Sequence, residues 1–93
     1  MITGQTKSGF EYTIDERIQR DYEMSRLGSL MRKGEQAEDA TLDMFKFVFG
    51  DEQLARLVEH VRSLNDGFCP WDSLIVELQD VFQQAFGTNA IKN

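Results

Sequence analysis

Residues 41–50, TLDMFKFVFG, constrain this chain more than any other segment, because Leu42, Met44, Phe45, Phe47, Val48 and Phe49 fill six of eight consecutive positions. Coiled at 3.6 residues per turn, they place apolar side chains on nearly every side, interrupted only by Asp43 and Lys46. Such a helix is either buried on most sides or presents an adhesive face. Thr41 or Asp39 can cap its start and Gly50 can end it. With 93 residues, 41% hydrophobic and 28% charged, the chain has room for one small core and one domain.

The surrounding segments supply that core. Phe10, Tyr12 and Ile14 alternate after the turn-forming Lys7, Ser8 and Gly9, which predicts a short strand or hairpin within residues 1–14. A helix is expected from Asp15, or from Thr13 if its hydroxyl and Glu16 form a capping box, to Lys33 before Gly34. Its apolar residues do not share one face. Ile18 and Tyr22 lie on one edge, Met24, Leu27 and Met31 nearly opposite, and Leu30 between them. That pattern predicts a bend near Gly28, or a helix that uses one face for its own domain and the other for a second molecule.

Residues 34–40, GEQAEDA, read as an acidic linker loop. Beyond Gly50, Asp51 is a suitable N-cap, and Leu54, Leu57, Val58 and Val61 form the stripe of a helix ending near Leu64. Asn65, Asp66 and Gly67 stop it. Pro70 then opens a last helix whose stripe runs through Leu74, Ile75, Leu78, Val81, Phe82, Ala85 and Phe86 to Gly87. Residues 88–93 are expected to fray. The predicted fold is mainly α: a small compact helical domain of about four helices, with a short N-terminal β-strand or hairpin.

Charge narrows the partners. The net charge is −6, divided between +1 over residues 1–33 and −8 over residues 34–91, a balance that repels phosphate backbones and anionic membrane surfaces. Neither nucleic acid nor membrane is an expected partner. No uninterrupted apolar run exceeds three residues, the length of Phe47 to Phe49, far short of a membrane span, and the N-terminus has no apolar run of signal-peptide length. With Cys69 as the single cysteine, a cytoplasmic protein is expected.

No chemistry-bearing motif stands out. His60 and Cys69 are each the one residue of their type, so a zinc site would need mostly carboxylate ligands, against zinc's preference for nitrogen and sulfur. A Cys69–His60 dyad would need tertiary proximity. There is no phosphate-binding glycine loop, and LNDGF lacks the alternating oxygen ligands of a calcium loop. The helices flanking residues 65–70 superficially suggest a DNA-reading helix pair. However, WDSLIVELQDVFQQAF carries Asp72, Glu77 and Asp80 with no Lys or Arg, which opposes that use. No catalytic residue, metal or cofactor is expected.

What remains is an excess of adaptable apolar side chains, with seven Phe and four Met in the chain. Methionine and phenylalanine on helices suit grooves that accept varied apolar partners. Each such residue taken singly fits a core. Taken together, Leu30, Met31, Met44, Phe45, Phe47 and Phe49 form a candidate partner-binding set, and self-association into an oligomer is a second use of it.

The segments SGFEYTIDERIQRDYEMSRLGSLM, DMFKFVFGDEQLARLVEHVRSLNDGF and DSLIVELQDVFQQAF resemble the small tail assembly chaperones of long-tailed bacteriophages and prophages. The order is similar: an extended opening into an Ile-Asp-Glu helix start, a short apolar helix closed by Gly50, Asp51, Glu52 and Gln53, a Leu-rich helix, an acidic turn and a final amphipathic helix. This chain departs at Cys69, Pro70 and Trp71, where such proteins often have Pro-Val or Pro-Thr. The resemblance implies a non-catalytic protein of the host cytoplasm that stays out of the virion. It would bind the tape measure protein and help tail tube protein assemble around it, and many such proteins also have a longer frameshifted form. An acidic helical inhibitor or adaptor of a host protein, acting as a nucleic-acid mimic, is the alternative reading.

Overall fold

The computed structural model describes residues 1–34 and 36–87. The expectation of a frayed tail at 88–93 lies outside the described residues. The chain forms β1 (Ile2–Gln5), β2 (Glu11–Ile14), a 3₁₀ turn (Glu16–Arg20), α1 (Tyr22–Lys33), α2 (Ala37–Leu64) and α3 (Trp71–Phe86). The mainly helical class with an N-terminal hairpin is as expected, but among the described residues the α-helices number three, since α2 runs through the position where two helices were anticipated. Gly50, at φ 77° and ψ 165°, is a non-helical joint inside α2. A positive φ of this kind is readily adopted by glycine.

The hairpin is antiparallel, pairing Ile2 with Ile14, Thr3 with Thr13, Gly4 with Tyr12 and Gln5 with Glu11. Alternation sends Tyr12 and Ile14 into the core, together with Phe10 from the turn, while Glu11 and Thr13 face outward. Gly4 is required by its cross-strand partner. A Cβ there would lie 2.6 Å from the ring carbon Cζ of Tyr12, so the Tyr12 ring occupies the space a side chain would need.

The first helical segment breaks at Asp21, not near Gly28. Asp15 caps the 3₁₀ turn by accepting from the Arg17 N–H, and Asp21, in an extended conformation at ψ 144°, caps α1 by accepting from the Glu23 N–H. The break has a packing reason. In one continuous helix Ile18 and Leu27 would point in different directions, whereas the interruption lets both enter the core. Tyr22, grouped with Ile18 by helical periodicity, is 76% exposed.

The expected linker at 34–40 is also shorter than predicted. Gly34 closes α1 in the left-handed region, Gln36 shares that conformation, and α2 begins at Ala37. Glu38 and Asp39 sit in its first turn, where carboxylates favour the helix N-terminus. Ala40 and Thr41 are buried, and the Thr41 hydroxyl donates to the Ala37 carbonyl rather than capping a later start. At the far end, Pro70 stands just before α3 instead of within it.

One core joins these elements: Ile14, Leu27, Phe45, Leu57, Val61 and Val81 are its most completely enclosed large side chains. Phe45 is central to its aromatic part, stacked on Phe49 with centroids 6.3 Å apart and edge-on to Trp71 at 6.0 Å. Among the described residues, no helix is long and apolar enough to cross a membrane.

Candidate interaction surface

The hairpin docks on a face of α2 that looks polar in sequence. Gln53, Arg56 and His60 follow one another at helical spacing, and each meets β2 or the turn. Gln53 accepts from the Thr13 N–H at 2.7 Å and donates to the Thr13 carbonyl at 2.9 Å, while its amide also donates to the Phe49 carbonyl at 3.0 Å. Arg56 lies over the Phe10 ring, 5.8 Å from its centroid, and His60 packs tilted against the same ring at 5.6 Å. Phe10 meets Phe49 edge-on from the other side. Sequence periodicity placed the buried stripe at Leu54, Leu57, Val58 and Val61; Leu57 and Val61 are buried, Leu54 and Val58 only partly.

The turn is fastened to α3 by carboxylates. Glu77 accepts from the Thr6 and Ser8 hydroxyls, both at 2.8 Å, and Asp80 accepts from the Lys7 N–H at 2.7 Å and the Gln84 amide at 3.1 Å. Both acids are less than a tenth exposed, and a buried carboxylate must be compensated by donors if it is not to be strongly unfavourable. Nearby, Tyr12 donates to Gln84 at 3.1 Å, and burial, with Asp80 as a second cause, raises its phenol above the usual range. The sequence signal was present: Glu77 falls on the Leu74, Leu78 and Val81 stripe, and an acid within an apolar stripe must find donors.

The Ser8 hydroxyl also lies 3.0 Å from His60 Nε2. That contact lacks the order of a nucleophile–base–acid relay, because the carboxylate of Glu77 bonds the hydroxyl rather than the imidazole. Among the described residues, no hydrogen bond joins His60 to Cys69, and no group of three or more His, Cys, Asp and Glu side chains could hold a metal ion.

The candidate partner-binding residues separate into two sets. Met44, Phe45 and Phe49 lie in the core at 3%, 1% and 6% exposure, whereas Leu30, Met31 and Phe47 are partly buried against it. The first three therefore serve the fold. The requirement of packing two short helices, a long kinked one and a hairpin around one centre consumes the aromatic residues that helical periodicity alone left unassigned.

Other apolar side chains are more exposed than these. Met1, Tyr22 and Leu42 are scattered along the chain, whereas Phe68 at 72%, Val76 at 58% and Leu64 at 57% fall at the corner where α2 ends, the chain turns and α3 begins. A groove of about 260 Å³ there is lined by Leu64, Val61, Val76, Ser73, Asp72 and Glu77, among others. Of its acids Asp72 is exposed, and nearby in the chain Asp66 is exposed while Arg62 donates to the Gly67 carbonyl at 3.1 Å and pairs with Glu59 at 4.0 Å. Comparison with protein-family models, curated proteins and solved structures finds no match.

Proposed function

We propose that this chain is a non-catalytic tail assembly chaperone of a long-tailed phage or prophage, which holds the tape measure protein in soluble form while tail tube protein assembles around it. The observation that carries the reading is the exposed apolar corner of Leu64, Phe68 and Val76, set among carboxylates on a small helical domain. Apolar client segments would lie against that corner, and the acidic surroundings would keep the complex dispersed. Leu30, Met31 and Phe47 are a secondary margin of the same kind. Weak contacts repeated along a long client would gain from avidity and still yield to incoming tube protein. The protein would act in the bacterial cytoplasm and be absent from the mature virion.

The α3 acids offer less to a nucleic-acid mimic than their spacing suggests, because Glu77 and Asp80 are turned inward onto the hairpin. The test is co-purification with the tape measure protein of the same phage. Leu64→Ser, Phe68→Ser and Val76→Ser combined should abolish co-purification while the far-ultraviolet circular dichroism keeps its helical form. Retention of the client by this variant would sink the reading. For the native chain, client binding should persist as salt rises, whereas a carboxylate-driven inhibitor would lose its partner steeply.

A further inference from the structure

The groove at the α2–α3 corner is one end of a longer trough. A second depression of about 270 Å³ lies between α3 and the hairpin turn, lined by Lys7, Gln79, Asp80 and Gln83, and the two meet at Ser8, Val76 and Glu77. Together they follow α3 from Asp72 to Gln83, about 16 Å at the rise of a helix. The opposite wall is the end of α2, with Val61 and Leu64, and then the turn, with Ser8 and Lys7.

An extended peptide held by its main chain needs a backbone edge to pair with. α3 spends its backbone groups within the helix, and on the turn the N–H groups of Thr6, Lys7 and Gly9 already donate to the Phe10 carbonyl, Asp80 and the Thr6 carbonyl. Both walls therefore offer side chains, which suits a helix lying in a groove. Leu64 and Val76 are apolar and more than half exposed. Each end carries one charge. Asp72 stands at the corner, and Lys7 stands beside Asp80, which accepts from its N–H, about 12 Å further along α3. Both are exposed, and neither forms an ion pair among the described residues. α3 contains no Lys or Arg, so Asp72 has no cation on its own helix.

These two charges orient an occupant. Helices favour acids near the N-terminus and bases near the C-terminus, so a helix that answers Lys7 with an acid and Asp72 with a base runs antiparallel to α3. We infer that the trough takes an amphipathic helix of a partner protein, laid antiparallel to α3, with an acid facing Lys7, apolar side chains over Val76 and Leu64, and a base facing Asp72 about two turns after the acid. Such a helix is the class of client segment that the proposed chaperone would hold, and to that extent it rests on that reading.

The probes are two synthetic helical peptides of about fifteen residues. The first carries a glutamate, two leucines one turn later and a lysine one turn beyond them, with a nitroxide at its C-terminus; the second has glutamate in place of that lysine. Amide chemical shifts of the full chain are followed on titration with each peptide up to about 1 mM. The first peptide should shift the amides of Leu64, Ser73, Val76 and Gln79, and its nitroxide should broaden Ser73 more than Gln83. The second should bind about fivefold more weakly at low salt. Asp72→Lys, with unchanged circular dichroism, should remove that preference. Binding by neither peptide, equal affinity for both, broadening strongest at Gln83, or shifts centred on Leu30, Met31 and Phe47 would overturn the inference. So would shifts of the trough residues with protein concentration alone, which would give the trough to a second copy. Loss of the tape measure protein by the Leu64, Phe68 and Val76 serine variant, beside equal binding of the two peptides by the native chain, would defeat the helix assignment and leave the chaperone reading standing. Retention of the tape measure protein by that variant, beside an intact peptide preference, would do the reverse.

Discussion

Gln53 and Thr13 are joined by a pair of hydrogen bonds in which a side-chain amide takes the place of a third strand. The Gln53 oxygen accepts from the Thr13 N–H, its nitrogen donates to the Thr13 carbonyl, and the same nitrogen donates to the Phe49 carbonyl just before the Gly50 joint. One residue thus closes the β2 edge and ties the two halves of α2. Gln53→Leu, which fills similar space but bonds to nothing, should lower stability by about 2–3 kcal/mol. Urea unfolding measures the loss, and faster exchange of the Thr13 amide would locate it.

Gly4 and Tyr12 make a tighter demand. The Tyr12 ring stands where a Gly4 side chain would be, and Tyr12 itself is 3% exposed and held to Gln84. Gly4→Ala should therefore cost about 1–3 kcal/mol through displacement of a buried ring, read as a lower Tm and an altered near-ultraviolet tyrosine signal.

The hairpin turn should loosen when its acceptor is removed. Glu77→Leu leaves the Thr6 and Ser8 hydroxyls without their carboxylate and should destabilise the fold by about 2 kcal/mol. Glu77→Gln, which retains an acceptor oxygen, should cost less. The Phe10 amide, which donates to the Thr6 hydroxyl at 3.1 Å, is the exchange probe that distinguishes local loosening from global unfolding.

Acid should weaken the fold in part through Asp15. Its carboxyl is held at about 2, below the ordinary 3.8, by the Arg17 side-chain hydrogen bond first and the Arg17 backbone N–H second. A folded-state value below the unfolded one means stability is fully present above pH 3.8 and is lost as pH falls toward 2. Glu23 is lowered in the same direction by Arg26. Both pairs are exposed, so added salt should reduce the effect. The urea midpoint measured against pH should fall less steeply over this window for Asp15→Asn than for the native chain.

Core and surface aromatics should respond oppositely to truncation. Phe45→Ala, at the meeting of Phe49 and Trp71, should cost about 3–5 kcal/mol. Phe68→Ala, 72% exposed, should change stability by no more than about 0.5 kcal/mol. Thermal denaturation of the two variants compares them directly.

Local patterns in the sequence determined much of this molecule. The turn residues Lys7, Ser8 and Gly9 between alternating strands, the joint at Gly50, the stop at Asn65 to Gly67 and the stripe of the last helix each follow from backbone preference and side-chain periodicity, which act over a few neighbouring residues. The break at Asp21 was not legible, because a helix from Asp15 to Lys33 satisfies every local rule, and only the need to bury both Ile18 and Leu27 interrupts it. Nor could spacing divide the aromatic residues: Phe45 and Phe49 became core, and Phe68 stayed outside, according to what the hairpin and α3 covered. Tertiary structure alone decided the partners of Gln53, Glu77 and Asp80. Their partners lie on the hairpin, 40 or more residues away in the chain, and a polar side chain in a helix shows its purpose only when a distant backbone or hydroxyl arrives to bond it.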